Sequence, residues 1–315
     1  MNKPILRIIA LFALSAASSS LSRADDYQLS AYTQRLVQKA HILQLEENYA
    51  EAITILKEVN PKRKYDKVFV SKMLAGILLS NGEYAQAEQR FSALLSNPDI
   101  LTEKERAELL LRLAQTQYLQ QKWQSAIDTT KQLRELEPEN PAWWKQLITL
   151  LMYTGKHDNA LVTLQQAERA GFTLDEQPIK LMAQLYAQKG IPVKAAELYF
   201  RLEKLDSSPE LLRQQAIYWQ LAKEWDNSVS SWEKAAALKP EYHFQLAQLK
   251  MQQKEYKGAL LAISNLEPDN VPALMLKVRA LDALNKTDQA LKTARYAHKL
   301  KPSNESLSWI KYLTQ

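Results

Sequence analysis

Small and apolar residues recur along this chain with a step close to 34 residues. The clearest mark is Gly82-Glu83-Tyr84-Ala85-Gln86-Ala87, preceded by Asn48-Tyr49-Ala50-Glu51-Ala52. It returns as Trp123-Gln124-Ser125-Ala126, His157-Asp158-Asn159-Ala160 and Pro192-Val193-Lys194-Ala195. Trp225-Asp226-Asn227-Ser228, Tyr256-Lys257-Gly258-Ala259 and Thr287-Asp288-Gln289-Ala290 complete the series. The closing small residue falls at 52, 87, 126, 160, 195, 228, 259 and 290, in steps of 35, 39, 34, 35, 33, 31 and 31. Twelve residues earlier a second small residue stands in six of the units, at Ala40, Ala75, Ala114, Ala183, Ala216 and Ala247. Larger core residues sit beside this second position: Leu74, Leu113, Leu147, Met182 and Leu246. Small residues at two fixed positions let helix backbones cross closely, and a period near 34 is that of a helix–turn–helix hairpin. The pattern predicts an all-α solenoid of about eight hairpins over residues 25–315, with a capping helix at its C-terminal end.

Turn chemistry places the boundaries. The first hairpin runs from about Tyr32 to Pro61, its second helix over Ala50 to Val59. The next starts near Tyr65 and ends at Asn97-Pro98. A long junction follows, and Thr102 with Glu105 three residues on reads as a capping box. Asn140-Pro141 opens the fourth hairpin with proline in the first helical turn, and Gly171 closes it. The fifth spans about Asp175 to Asp206. Ser207-Ser208-Pro209 starts the sixth, which ends at Lys239-Pro240; the last two end at Pro268 and Pro302. A final helix over Ser303 to Leu313 carries Trp309, Ile310 and Leu313 as one apolar stripe, as a terminal cap requires.

Composition changes this picture at one end only. The 315 residues are 46% apolar and 24% charged, enough to bury a sizeable core. Residues 1–24 read as a cleavable signal peptide: Lys3 and Arg7, an apolar run from Ile5 to Ala17, then Ser22 and Ala24 at the −3 and −1 positions. The run is too short to span a bilayer, so no membrane span is expected after cleavage. Losing Lys3, Arg7 and Arg23 takes 41 Lys and Arg to 38, against 35 Asp and Glu. A nearly balanced exported chain is a poor nucleic-acid binder. The absence of cysteine removes disulfides, thiolate metal sites and a cysteine nucleophile.

No catalytic constellation stands out, and no enzyme activity, cofactor or metal is expected. His41, His157, His243 and His298 lie in four different hairpins, with no pair at metal-ligand spacing. None of the six glycines forms a phosphate loop. Trp123 and Trp225 share the position of Tyr49, Tyr84 and Tyr256, so they belong to repeat packing. Trp144 falls on a core position, whereas Trp143 points elsewhere and is a candidate partner contact. The clearest binding candidate lies on the first helices of the hairpins, off the core stripe. Lys72, Lys145, Lys180 and Arg213 stand fifteen residues before the closing small residue. Gly76, Thr149, Gln184 and Ile217 follow four residues later, with Gln115 equivalent in the third hairpin. Stacked hairpins would line these cations along a concave groove able to hold a carboxylate or an extended acidic peptide. The alternative is that they are ordinary solvated helix charges. Lys62-Arg63-Lys64 reads as a solvated loop.

The repeat resembles the tetratricopeptide (TPR) repeat in its large residue, Leu-Ala pair, Tyr-x-x-Ala turn and closing proline; Tyr186, Ala195 and Tyr199 show the form well. A narrower similarity rests on Tyr65-Asp66-Lys67-Val68, on the segment from Asn140 to Leu147, on the block from Ala170 to Ala196 and on Ser308 to Leu313. These look like the exported TPR proteins that accompany TonB energy-transduction systems in Gram-negative bacteria. The resemblance implies a periplasmic, non-enzymatic scaffold that serves TonB-dependent uptake, typically of iron complexes, by binding protein partners such as TonB-complex components. The alternative within the same class is a periplasmic adaptor in envelope assembly or polysaccharide secretion. Pro192 departs from the plain TPR turn, which prefers an aromatic there, and the last two hairpins are compressed.

Overall fold

Five residues before each closing small residue the backbone turns left-handed. Glu47, Gly82, Gln121, Gly155, Gly190, Lys223, Lys254 and Asn285 all have φ between +55° and +80°. At the second of these turns Gly82 N–H donates to the Leu79 carbonyl and Glu83 N–H to that of Leu78. Those paired bonds close a helix and release the chain for the next one. The same pair recurs at all eight turns, from Glu47 and Asn48 to Asn285 and Lys286. Each second helix then begins three residues before its small residue, which puts Tyr49, Trp123, Pro192 and their equivalents at the first helical position.

The computed structural model describes residues 29–97, 101–204 and 207–315; the expected signal peptide at 1–24 lies outside them. Seventeen α-helices and no strand occur among the described residues, and the fold is all-α. Two compact units divide the chain after Phe172. In the first, α1 (Ala31–Leu45) pairs with α2 (Tyr49–Glu58), and α3 (Lys64–Ser80) with α4 (Tyr84–Leu95). There α5 (Glu103–Leu119) pairs with α6 (Trp123–Leu136), and α7 (Pro141–Tyr153) with α8 (His157–Arg169). The second unit holds α9 (Glu176–Gln188) with α10 (Pro192–Glu203), and α11 (Pro209–Leu221) with α12 (Trp225–Leu238). It continues with α13 (His243–Gln252) and α14 (Tyr256–Ile263), α15 (Val271–Ala283) and α16 (Thr287–Leu300), and ends in α17 (Asn304–Leu313).

Local chemistry explains the helix starts. Thr102 and Glu105 form a reciprocal capping box on α5. The Asn140 side chain accepts from Ala142 N–H ahead of Pro141 on α7, and Ser303 with Ser306 makes a second capping box on α17. Gly171, at φ +90°, ends α8 by the same paired bonds as the hairpin turns. The first hairpin's second helix starts one residue earlier than expected, at Tyr49.

Packing follows the two small positions. All eight closing residues are fully buried, and so are the six alanines twelve residues before them. Ser228, the only non-alanine in the closing series, donates its hydroxyl to the Ala216 carbonyl at 2.9 Å, which satisfies a buried polar group. The shortest steps come from short helices. A 3-10 turn at Pro240–Tyr242 takes the start of α13, which has 10 residues, and α14 has only 8. Trp309 and Ile310 pack with Leu313 against Val278, Leu281 and Ala294, so α17 covers the last hairpin as a cap.

Candidate functional site

The cations expected in one row divide between the units, two in each. Lys72, on α3, is already neutralised. Its Nζ lies 3.0 Å from Glu105 Oε1 on α5, and both side chains are about three-quarters buried. Glu105 does two jobs, since its Oε2 also accepts from the Thr102 N–H at 2.9 Å. Burial pushes the Glu105 carboxyl up, but the Thr102 N–H and the Lys72 ammonium more than offset that and hold it below the ordinary glutamate range.

Lys145, on α7, is different. It is exposed, and no hydrogen bond or ion pair reaches its ammonium among the described residues. Thr149 lies one turn on and donates to the Lys145 carbonyl at 2.8 Å. A further turn brings Tyr153, 43% exposed, whose ring centroid lies 5.0 Å from that of Trp123 on α6. Trp123 in turn meets Tyr118 of α5 edge-on at 5.2 Å. Burial, and then the neighbouring Tyr153 hydroxyl, push the Tyr118 phenol up. Gln115 is half-buried on α5, and a side chain at Gly76 would meet only open space.

Trp143 is not the free aromatic that its place in the sequence suggests. It is half-buried, donates its indole N–H to Glu137 at 2.7 Å, and packs with Leu111 and Leu136 around Leu110 and Leu133. Trp144 donates to the Pro138 carbonyl at 2.9 Å, with Arg134 4.8 Å above its ring. Two adjacent tryptophans on different helix faces thus both fasten the Glu137–Asn140 turn, because each buried indole N–H needs an acceptor.

In the second unit Lys180 pairs with Glu176 one turn earlier on α9. Gln184 is exposed on the same helix. Arg213 on α11 lies in the field of Glu210. That carboxyl is held low first by its own backbone N–H, against a small burial effect, and then by Lys239 and Arg213. Of the four cations, Lys145 alone has neither an ion pair nor a neighbouring carboxylate acting on it among the described residues.

Polar ties one repeat apart escaped the sequence reading. Besides Lys72 and Glu105, Gln120 reaches Glu88 at 2.8 Å and Arg134 reaches Gln166 at 3.3 Å in the first unit. In the second, Lys234 reaches Glu203 at 2.6 Å one repeat away, while Gln215, between them in sequence and less than half a repeat from each partner, bonds Glu203 and Ser231. A carboxylate or amide about one period from its partner is the signal, visible only once the hairpins are in register. No group of three or more His, Asp or Glu stands in metal-holding array among the described residues. No helix among them is long and apolar enough to cross a membrane.

The tetratricopeptide repeat family model matches residues 78–151, which covers the hairpins from α4 to most of α7. Solved structures similar to this chain include MamA, at 17% identity and TM-score 0.40, covering 49% of this chain and 94% of that one. A tetratricopeptide repeat protein from Parabacteroides merdae ATCC 43184 is 15% identical at TM-score 0.38, covering 80% and 99%. The TPR2AB domain of yeast Sti1, solved as a complex with pHSP90, is 13% identical at TM-score 0.36, covering 90% and 99%. No curated protein matches the sequence. The matched segment is thus similar to tetratricopeptide repeats, and hairpins with the same small-residue crossings continue on both sides of it.

Proposed function

We propose that the chain is a non-enzymatic periplasmic scaffold that serves TonB-dependent uptake of iron complexes by binding a protein partner. The resemblance read in the Asn140–Leu147 and Ala170–Ala196 segments to exported TonB-associated TPR proteins motivates the choice of system. The observation that carries a partner-binding face is the uncompensated Lys145 ammonium on α7, flanked by Thr149 and the exposed Tyr153. An unpaired cation on a rigid helix is ready to take a carboxylate without first breaking an internal ion pair. In the second unit Lys180 and Arg213 are less available, because carboxylates on their own helices already attend them.

The test is in-cell crosslinking of tagged protein under iron limitation, with mass spectrometry of the captured chains. Recovery of TonB-complex components is the expected result. Recovery of envelope-assembly or polysaccharide-export machinery in their place would move the assignment to that second reading. In the same assay, reversing both Lys145 and Lys180 to Glu should abolish capture with an unchanged helical circular-dichroism signal. Capture that survives both reversals excludes these cations from partner binding.

A further inference from the structure

Several cations of this chain are answered by a carboxylate, as Lys72 is by Glu105, Lys234 by Glu203 and Lys250 by Glu233. The last hairpin and its cap are different. Lys292, Arg295 and Lys299 stand three and four residues apart on α16, opposite the buried Ala290, Ala294 and Ala297. All three are exposed, and seven residues of helical rise spread them over about 10 Å. Lys301 follows at the end of α16, and Lys311 lies on the exposed side of α17. No ion pair or side-chain hydrogen bond reaches any of the five among the described residues. Acids are scarce around them. Glu305 on α17 is held by Arg279 of α15 at 2.5 Å, and Asp269 accepts from the Tyr296 hydroxyl on the flank of α16. Asp288, one turn before Lys292, is the remaining carboxylate on these two helices. Two leucines stand among the cations. Leu300 follows Lys299 and Leu307 lies one turn before Lys311, and each is 40% exposed. The His298–Ser306 bond at 2.8 Å and the packing of Trp309 and Ile310 hold α17 beside α16, so both helices present one surface.

We infer that this end of the chain docks peripherally on an anionic phospholipid surface, with its cations over the headgroup phosphates and Leu300 and Leu307 at the acyl boundary. Charge complementarity carries the choice. Five uncompensated cations stand against Asp288 alone, and ammonium and guanidinium groups donate strongly to phosphate oxygens. Each such cation close to an anionic surface raises the partition about fivefold. The leucines decide between sources of phosphate. A duplex backbone would draw the same cations but gives exposed leucines no apolar contact, whereas a bilayer interface takes them out of water. The alanine face of α16 stays packed in its hairpin, so the helix lies against the surface and does not enter it. The inference goes beyond the TonB-linked reading and does not depend on it.

Flotation of the purified protein with lipid vesicles at low ionic strength tests it. The protein should float with vesicles of phosphatidylethanolamine and phosphatidylglycerol and stay behind with vesicles of phosphatidylcholine alone. Lys292→Gln, Arg295→Gln and Lys299→Gln together should lower partition to the anionic vesicles by about 100-fold. Leu300→Ser with Leu307→Ser should lower it by about tenfold. All five positions are exposed, so an unchanged circular-dichroism signal separates lost docking from lost fold. Lys62→Gln with Lys64→Gln, in the other basic run, should leave partition unchanged. Failure to float with anionic vesicles overturns the inference, as does flotation that the triple replacement leaves intact. Indifference to the leucine replacements overturns it too, and tight binding of a short DNA duplex by that variant would then assign the patch to nucleic acid. The cellular capture experiment does not read these residues, so failure here and failure of the TonB-linked reading are distinguishable.

Discussion

Four of the eight hairpin turns place a glutamate, a glutamine or a lysine at a positive φ, where a side chain is strained by about 1–2 kcal/mol. Replacing Gln121 or Lys223 by Gly should relieve part of that strain and stabilise the protein by about 0.5–1 kcal/mol, read as a higher urea midpoint. Gly155→Ala, at φ +70° with open space around it, should cost about 1 kcal/mol for the mirror-image reason. A second residue-level device is Asp66, 1% exposed at the start of α3. Its Oδ2 accepts from the Ser30 hydroxyl at 2.8 Å, the Ser30 N–H at 3.3 Å and the Thr33 hydroxyl at 3.0 Å, which ties the cap of α1 to α3. Burial raises this carboxyl, and the Ser30 and Thr33 hydrogen bonds with the Arg63 charge more than offset it, leaving it below the ordinary aspartate range. A depressed folded-state pKa gives stability that is complete above the unfolded value and is lost as pH falls through the folded one. Acid should therefore loosen α1 below about pH 4, and Asp66→Asn should flatten that part of the stability profile. A profile unchanged by the substitution would exclude this tie as the acid-sensitive element.

At the level of helices, the crossings decide tolerance. Ala160 is fully buried where α8 crosses its neighbours, so Ala160→Leu should cost about 1–3 kcal/mol through overpacking, whereas Ala142→Leu on the exposed side of α7 should stay within about 0.5 kcal/mol. Urea unfolding of both variants checks the contrast. Much of this was legible beforehand. The small residues mark the crossings, and Thr102-x-x-Glu105 and Asn140-Pro141 mark helix starts, because caps are made within four residues of chain. The Lys72–Glu105 pair was not legible, since its members are 33 residues apart and Glu105 already had a local role. Trp143 misled for a related reason. Helical phase gives the direction of its Cβ, but the acceptor of its indole N–H is six residues back, in a turn whose path the phase does not give.

For the whole chain, a repeat array is held together by neighbours, so its ends respond locally. α17 covers the last hairpin through Trp309, Ile310 and Leu313, and Ser306 on it meets His298 Nδ1 at 2.8 Å. Leu313→Ala should raise amide hydrogen exchange in α15 and α16 and leave that of α3 to α7 unchanged. Equal acceleration everywhere would mean that the chain unfolds as a single cooperative block.

The order of helices, their turns and their crossings were determined by the sequence, because each depends on residues within one hairpin and repeats eight times. Which polar side chains remain available was decided only by tertiary structure. Lys72 and Lys145 occupy the same repeat position, yet one is held by a carboxylate from the next hairpin and the other is free. Ion pairing depends on a few ångströms between residues a full period apart, and no pattern within a hairpin specifies that distance.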